Sequence, residues 1–446
     1  MEFNNVTFIS TFFIKVVLNM EVINITGLNH EGAGVGRLNN GKVVFVPGAL
    51  VGEQVRIELL VDKKKYALGR LLEIEVASPD RVAPSCSEGS CGGCQLQHLS
   101  YNEQLKWKQQ KVIDAFKRIG GFSDIEVLPV LGMTNPWRYR NKVRLHVSKG
   151  QLGFYQPGSH EVNPLANCSL LPSLMLEVAR FINELLPNLS PGLKHVTLRQ
   201  GLKTGEVLVF LEVEQGWTEG KRLAKELKNH FSSLVSVVAG FEDKKKSLVT
   251  LIGRDYLIEK LGNFTFHISP DTFFQVNTVH TEVLYNQVKE YAELEGEEEV
   301  LDAYCGSGSI AMWLSCKAKK VTGVEVVAQA IKDAGRNVVL NDIDNIEFHT
   351  GQAEVLLPRL AEKGYKPQVI VLDPPRAGCD RRVLKAVEKM KPIRVVYVSC
   401  NPATLARDVS YLSENGYVPA KVQPVDMFPY THHVECVVSL KRIHSL

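Results

Sequence analysis

A cysteine standing where a strand gives way to a helix is the residue best placed to do chemistry in this chain. Arg394-Val395-Val396-Tyr397-Val398 is a short β-rich run with the composition of a buried strand. It ends at Ser399-Cys400 and passes through Asn401-Pro402 into a helical pattern. Asn401 suits the cap of that helix and Pro402 its first position. Beside the positive end of a helix, the Cys400 thiol is expected to ionise more readily than a free cysteine and to present a nucleophilic thiolate. Taken alone, the same residue also reads as a small apolar filler at a strand end.

A second constellation lies upstream. Residues 299–304 read as a strand, and Cys305-Gly306-Ser307-Gly308-Ser309 turns it into a helix. Residues 320–325 form the next strand and end in an acid, Glu325; residues 369–373 form another, ending at Asp373 before Pro374-Pro375-Arg376. Strands alternating with helices from about residue 270 mark an open parallel sheet, whose ligands bind at the carboxyl ends of the strands. The glycines let backbone approach a ligand, and Glu325, nineteen residues beyond Gly306, can accept from ribose hydroxyls. The turn lacks G-x-G-x-x-G, which favours a nucleoside-bearing cofactor such as S-adenosylmethionine over a dinucleotide.

A third group is made of thiols: Cys86-x4-Cys91-Gly92-Gly93-Cys94, with Cys168 far off. Three close thiols plus a distant fourth suit zinc or an iron–sulfur cluster. Zinc sites usually come as two separated pairs, whereas three-plus-one with glycines between ligands leaves room for a cube-shaped cluster. A cluster is therefore favoured over zinc or no metal. No CxxxCxxC triplet occurs, which speaks against radical chemistry at an open iron.

The elements that must hold these groups follow in chain order. Residues 20 to about 78 read as short strands with glycine-rich turns: an alternating run at 21–25, a hairpin turn at Asn39-Asn40-Gly41, then runs at 42–46, 55–59 and 67–71. This is the pattern of a small β-barrel. Gly32, Gly34 and Gly36 precede no helix and read as turn and bulge glycines rather than a phosphate loop. Lys63-Lys64-Lys65-Tyr66 joins charge and an aromatic in one loop, as an oligonucleotide-binding barrel does. Residues 101–120 form an amphipathic helix. Residues 137–144 alternate, predicting a strand with Arg138, Arg140, Lys142 and Arg144 on one face, suited to a phosphate backbone. Residues 145–265 continue as mixed strands and helices.

A chain of 446 residues exceeds one ordinary core, so two or three domains are expected. A net charge of +3 is mild, and any nucleic-acid surface must be a local patch. Nine cysteines without a secretory pattern point to free thiols in a reducing cytoplasm. Residues 8–18 are apolar, but Lys15 interrupts them and no basic start precedes them; neither a signal peptide nor a membrane span fits. Residues 1–19 read as an extension or a misplaced start, with no membrane partner expected.

The chain resembles the RNA uracil-C5 methyltransferases, specifically the bacterial ribosomal-RNA type. The resemblance runs from residue 20 through the barrel, which is similar to a TRAM domain, the cysteines, and Ser269-Pro270-Asp271-Thr272-Phe273-Phe274-Gln275-Val276-Asn277. It continues through Asp302-Ala303-Tyr304-Cys305-Gly306-Ser307-Gly308, Asp373-Pro374-Pro375-Arg376-Ala377-Gly378, Ser399-Cys400-Asn401-Pro402 and His432-His433-Val434-Glu435-Cys436. It implies an α/β fold: a C-terminal Rossmann-like S-adenosylmethionine methyltransferase domain at 269–446, an OB-like TRAM barrel at 20–78, and a central α+β iron–sulfur domain with an RNA-binding surface at 79–268. It implies Cys400 as nucleophile, Glu435 as general base, and Gln275, Tyr304, Glu325 and Asp373 as S-adenosylmethionine contacts, with Ser309 and Gln352 as weaker matches. Cys86, Cys91, Cys94 and Cys168 correspond to the ligands of a 4Fe-4S cluster, although the first cysteine spacing is shorter than is usual there.

The implied reaction needs these residue types. C5 of uracil is a weak nucleophile until a thiolate adds at C6, and a base must then remove the C5 proton. A carboxylate in the otherwise apolar run at 434–438 is expensive unless used or paired. His432 and His433 read as neighbours of the site rather than catalysts. A stacked base cannot react, so the uridine must be flipped out of its RNA. The implied partner is 23S rRNA, with tRNA as the alternative, and a monomer is expected. The Asp-Pro-Pro loop is also similar to that of amino-group methyltransferases, but Arg376 stands where those carry an aromatic. An RNA-binding iron–sulfur protein without activity is the non-enzyme alternative.

Overall fold

Short runs of alternating valine and isoleucine close the first unit into a barrel. The computed structural model describes residues 20–86, 91–156, 159–241 and 248–443, so the reading of residues 1–19 lies outside the described residues. The chain divides into two compact units between Val82 and Ala83. In the first, Met20–Leu28, Gly34–Arg37, Val43–Val46, Tyr66–Val76 and Gln54–Asp62 are neighbours in that order around a closed barrel. Ile23, Ile25, Val44, Val46, Val55, Ile57 and Ala67 fill its interior. Gly41, at φ +83°, makes the hairpin turn. Gly34 and Gly36 serve close packing instead: a Cβ on Gly34 would meet the Ala49 carbonyl oxygen at 2.9 Å, and one on Gly36 the Asn24 oxygen at 2.8 Å.

The second unit holds two large sheets. One has seven strands, in the order Val249–Gly253, Leu234–Phe241, Val207–Val213, Leu193–Gln200, Lys142–Ser148, Gln151–Tyr155 and Val162–Pro164. Helices Ser173–Leu185 and Gly220–His230 share its apolar core, with Met175, Val178, Leu223 and Leu227 buried against the sheet.

The row of cations expected on one strand face is corrected here. The strand begins only at Lys142, because Arg138 adopts φ +53° and breaks the alternation. Arg140 instead faces a cysteine-lined cavity, and Arg144 pairs with Glu212 at 2.7 Å.

The eight-stranded sheet runs Ile346–Thr350, Lys320–Glu325, Glu299–Asp302, Val369–Leu372, Arg394–Ser399, Glu435–Arg442, Tyr417–Val425 and Glu126–Val127. The first five strands are parallel, and Glu435–Arg442 enters antiparallel. Both faces are apolar and covered, as a parallel sheet requires. Strand order reverses between Glu299–Asp302 and Val369–Leu372, which opens a ligand crevice at their carboxyl ends. The amphipathic helix Tyr101–Arg118 packs on helix Pro402–Glu414, directly behind Cys400. No helix among the described residues is long and apolar enough to cross a membrane.

Candidate active site

The site is assembled from the ends of three strands and one returning edge. Strand Glu299–Asp302 delivers Asp302 and then Tyr304; strand Val369–Leu372 delivers Asp373; strand Arg394–Ser399 delivers Cys400. Glu435 opens the antiparallel strand beside the last of these. That pairing runs from Arg394↔Lys441 to Ser399↔Cys436. Cys400 and Glu435 flank the end of that ladder, and the Glu435 carboxylate acts on the thiol.

Local chemistry fixes Cys400 as the sequence predicts. The Asn401 side chain accepts from the Ala403 N–H at 3.1 Å, and Pro402 opens the helix. The loop from Asp373 is tied to the same helix. Asn401 Nδ2 donates to the Arg376 carbonyl at 3.0 Å, Arg407 donates to the Ala377 carbonyl at 3.0 Å, and the Cys379 N–H donates to Asp408 at 2.8 Å. Gly378, at φ +80°, could not carry a side chain here, since a Cβ would lie 2.6 Å from the Asp408 carboxylate. Loop and helix are thus tied together, and the Arg376 guanidinium acts to lower the Cys400 thiol.

The expected acidic thiol is not found. Burial pushes the Cys400 thiol up to about 11, reinforced by the Glu435 and Asp373 carboxylates, with Arg376 opposing. The helix terminus is outweighed chiefly by burial of the sulfur, to which two acids from distant strands add. Glu435, 6% exposed, is itself raised to about 8 by burial and by Asp373. Burial raises Asp373 to about 7, and Asp302 rises to about 8 from burial and its neighbour Asp373. Asp302 was not singled out as a site residue; an acid closing a strand of the parallel sheet was the signal for it. His433 is pushed down to about 3 by burial and the adjoining His432, Arg376 and lysines, which keeps it neutral.

Beside these acids a narrow cavity is lined by Phe274, Gln275, Tyr285, Tyr304, Ser309 and Asp373. Tyr285 and Ser309 share a hydrogen bond of 2.7 Å across it. Gly306 stands on its wall at φ +54° with open space where a side chain would be. Glu325 stands at the next strand end, its carboxylate accepting from the Gly306 N–H at 3.2 Å and the Val327 N–H at 2.8 Å. Gln352, the residue before helix Ala353–Glu362, does not line this cavity. The arrangement suits a nucleoside that brings positive charge, since the crevice gathers buried acids with one opposing guanidinium.

The four predicted thiols come together elsewhere. Cys86, Cys91, Cys94 and Cys168 all line one cavity of about 220 Å³, with Gln97 and Arg140. Burial and the neighbouring Cys168 and Cys91 raise Cys94 to about 11, against a hydrogen bond from Gln97. Among the described residues no three His, Cys, Asp or Glu side chains are grouped to hold a metal ion. The expectation of a 4Fe-4S cluster is therefore not supported by a metal-binding group; the four thiols line a cavity instead.

Comparison with known proteins matches this architecture closely. The profile of tRNA (uracil-5-)-methyltransferases matches residues 100–443, and that of the TRAM domain residues 20–72. An RNA methyltransferase of Clostridium tetani is 44% identical, covering 93% of this chain and 94% of its own length. One from Bacillus cereus is 43% identical over 94% and 95%. Among solved structures, the tRNA (uracil-54, C5)-methyltransferase of Pyrococcus abyssi, in complex with S-adenosyl-L-homocysteine, is 28% identical with a TM-score of 0.76, covering 94% of this chain and 99% of that one.

Proposed function

This chain belongs to the tRNA (uracil-5-)-methyltransferase family and carries a TRAM domain, and on that footing we propose that it methylates C5 of a uridine in structured RNA through a covalent Cys400 adduct. The observation that carries this reading is the juxtaposition of Cys400 and Glu435 beside the Asp373 strand end. Neither residue type is needed for direct attack by an exocyclic amine, and both are needed for attack by a ring carbon.

The Cys400 thiol loses its proton to water, and Arg376 holds the thiolate that results. The sulfur adds to C6, and the C5–C6 π pair moves into the ring to give an enolate with the C4 carbonyl. S-adenosylmethionine, which Gln275, Tyr304, Glu325 and Asp373 would hold, supplies the methyl group: C5 attacks the methyl carbon, the methyl–sulfur bond breaks with its electron pair left on sulfur, and S-adenosylhomocysteine departs. The buried acids offset the sulfonium charge of the donor, and Gly306 leaves room for it. Glu435 then takes the C5 proton; the C–H electrons reform the double bond and expel the thiolate. Cys400→Ala with a tritiated methyl donor tests the scheme: methylation of RNA at near the normal rate would show that no covalent step is needed.

For the RNA itself, 23S rRNA is the substrate proposed first. The Lys63-Lys64-Lys65-Tyr66 loop of the barrel, where Lys63 lies 5.8 Å over the Tyr66 ring, would bind it. tRNA is the second reading, favoured by the likeness to the Pyrococcus abyssi tRNA (uracil-54, C5)-methyltransferase, which matches almost the whole chain. Mass-spectrometric mapping of 5-methyluridine in both RNAs from a deletion strain separates them.

We further read the thiol-lined cavity as the seat of a 4Fe-4S cluster held by Cys86, Cys91, Cys94 and Cys168. A four-thiol shell around a space of about 220 Å³ fits a multi-iron group better than one zinc ion, whose sulfurs must all lie about 2.3 Å from a single point. Such a cluster would cross-link the two cysteine segments. Iron and acid-labile sulfide analysis after anaerobic purification decides between the two. All nine cysteines are free, consistent with a reducing cytoplasm as the site of action.

A further inference from the structure

The segment leading into Glu435 is held in an unusual way. Tyr430 adopts φ +66°, a left-handed conformation that a bulky residue keeps only when its surroundings over-determine it. Three backbone hydrogen bonds do so. The Tyr430 N–H donates to Gln104 Oε1 at 3.0 Å, and its carbonyl accepts from the N–H groups of Gln95 at 3.1 Å and Leu96 at 3.0 Å. Its ring stacks on Trp137, with centroids 3.9 Å apart and planes at 18°.

Two of those partners adjoin the thiol-lined cavity along the chain. Gln95 and Leu96 directly follow Cys94, and Tyr430 lies in one small apolar cluster with Met133, Tyr139 and Leu170, against which Cys94 and Cys168 pack. The next contact down the loop, from Lys111 to the His432 carbonyl at 2.7 Å, leaves only His433 and Val434 before Glu435. Cys400 reaches this region only through the packing of its helix on Tyr101–Arg118, among the described residues, whereas Tyr430 is hydrogen-bonded to the Cys94 segment directly.

We propose that Tyr430 is a positioning residue that seats Glu435 against Cys400, and that the Cys94 segment is its abutment. The thiol-lined cavity then governs proton removal, and it acts on Glu435 rather than on Cys400. This rests on Glu435 being the base.

The test separates addition from elimination. On 5-fluorouridine RNA, C5 carries no proton to remove, so labelled adduct reports addition by Cys400 and methyl transfer but not the work of Glu435. On ordinary RNA, release of methylated product also requires Glu435. Both are measured with the full chain, tritiated methyl donor and bulk RNA from cells lacking the enzyme, with and without fluorouridine. Tyr430→Gly keeps the left-handed backbone accessible and deletes the ring. It is expected to form fluorouridine adduct within twofold of the parent rate, yet to release product at least tenfold more slowly, with adduct accumulating on ordinary RNA. Tyr430→Phe restores release, and Cys94→Ser shifts the ratio of adduct to product the same way. Should Tyr430→Gly fold poorly, Trp137→Leu removes the stack from the other side with the same expectation. Equal slowing of both steps, or of neither, overturns the coupling. Normal product release by Glu435→Gln would instead remove the reading beneath it.

Discussion

Cys400 and Glu435 flank the last pair, Ser399 with Cys436, of an antiparallel ladder. The register sums to 835 at both ends of the ladder, 394 with 441 and 399 with 436, with 400 and 435 just past its end. The thiol is driven up to about 11, partly by this carboxylate, and the carboxyl itself stands at about 8. Without ligands the pair therefore holds its protons at neutral pH, and the site is chemically quiet until charge enters the crevice.

Glu435→Gln should leave addition intact and remove the base. Turnover is expected to fall by about 10²–10⁴-fold, the usual contribution of a positioned base. RNA should remain on the protein as a band that survives denaturing electrophoresis. Adding Cys400→Ala should abolish that band. A Gln variant that turns over normally and traps nothing excludes Glu435 as the base.

The pH profile carries the second expectation. A base raised to about 8 stays protonated to higher pH than a free carboxyl, so product release should climb with pH through about 8. Fluorouridine adduct formation should keep climbing beyond that, toward the thiol at about 11. Arg376 lowers both groups, so Arg376→Gln should move both limbs upward by about one pH unit. Limbs that stay in place exclude Arg376 as the counter-charge.

Stability should run the other way. Asp302, raised to about 8 in the fold, binds its proton more tightly there than in the unfolded chain. Over the window from about pH 4, the ordinary carboxyl value, to about 8, the ligand-free protein should therefore lose stability as pH rises. Asp302→Asn should flatten that slope in urea unfolding followed across the window. An unchanged slope means that the Asp302 carboxyl does not bind its proton more tightly when folded.

Local signals made much of this legible. The strand–Cys400–Asn401–Pro402 cap needs only neighbouring residues, as does the Gly41 hairpin turn, and both stand as read. The thiol's proton affinity could not be read locally, because Glu435 and Asp373 reach it from 35 and 27 residues away. The alternation at 137–144 looked like a strand until Arg138 turned left-handed to let its N–H meet the Ser169 carbonyl and Arg140's meet Leu170. Long-range backbone pairing overrode the period of two. Lys108 is the plainest case: on an amphipathic helix a lysine reads as solvated, yet this one is fully buried against Asp426, 318 residues later.

That ion pair supports the last prediction. Lys108 Nζ and Asp426 Oδ1 are 2.6 Å apart with both side chains out of solvent, and Lys108 also donates to the Phe428 carbonyl at 3.1 Å. Tyr101 donates to the other Asp426 oxygen at 2.8 Å. Burial lowers the Lys108 pKa against the pull of Asp426, so the pair is stable as a pair and costly to split. Lys108→Met strands a buried carboxylate and should cost about 3–5 kcal/mol in denaturant unfolding. Adding Asp426→Asn removes the stranded charge and keeps an acceptor for Tyr101, so the double variant should recover most of the loss. Its remaining deficit should appear in product release more than in adduct formation, because Asp426 begins the loop that ends at Glu435. A double variant as unstable as Lys108→Met alone would mean that the lysine's packing, not its charge, secures the loop.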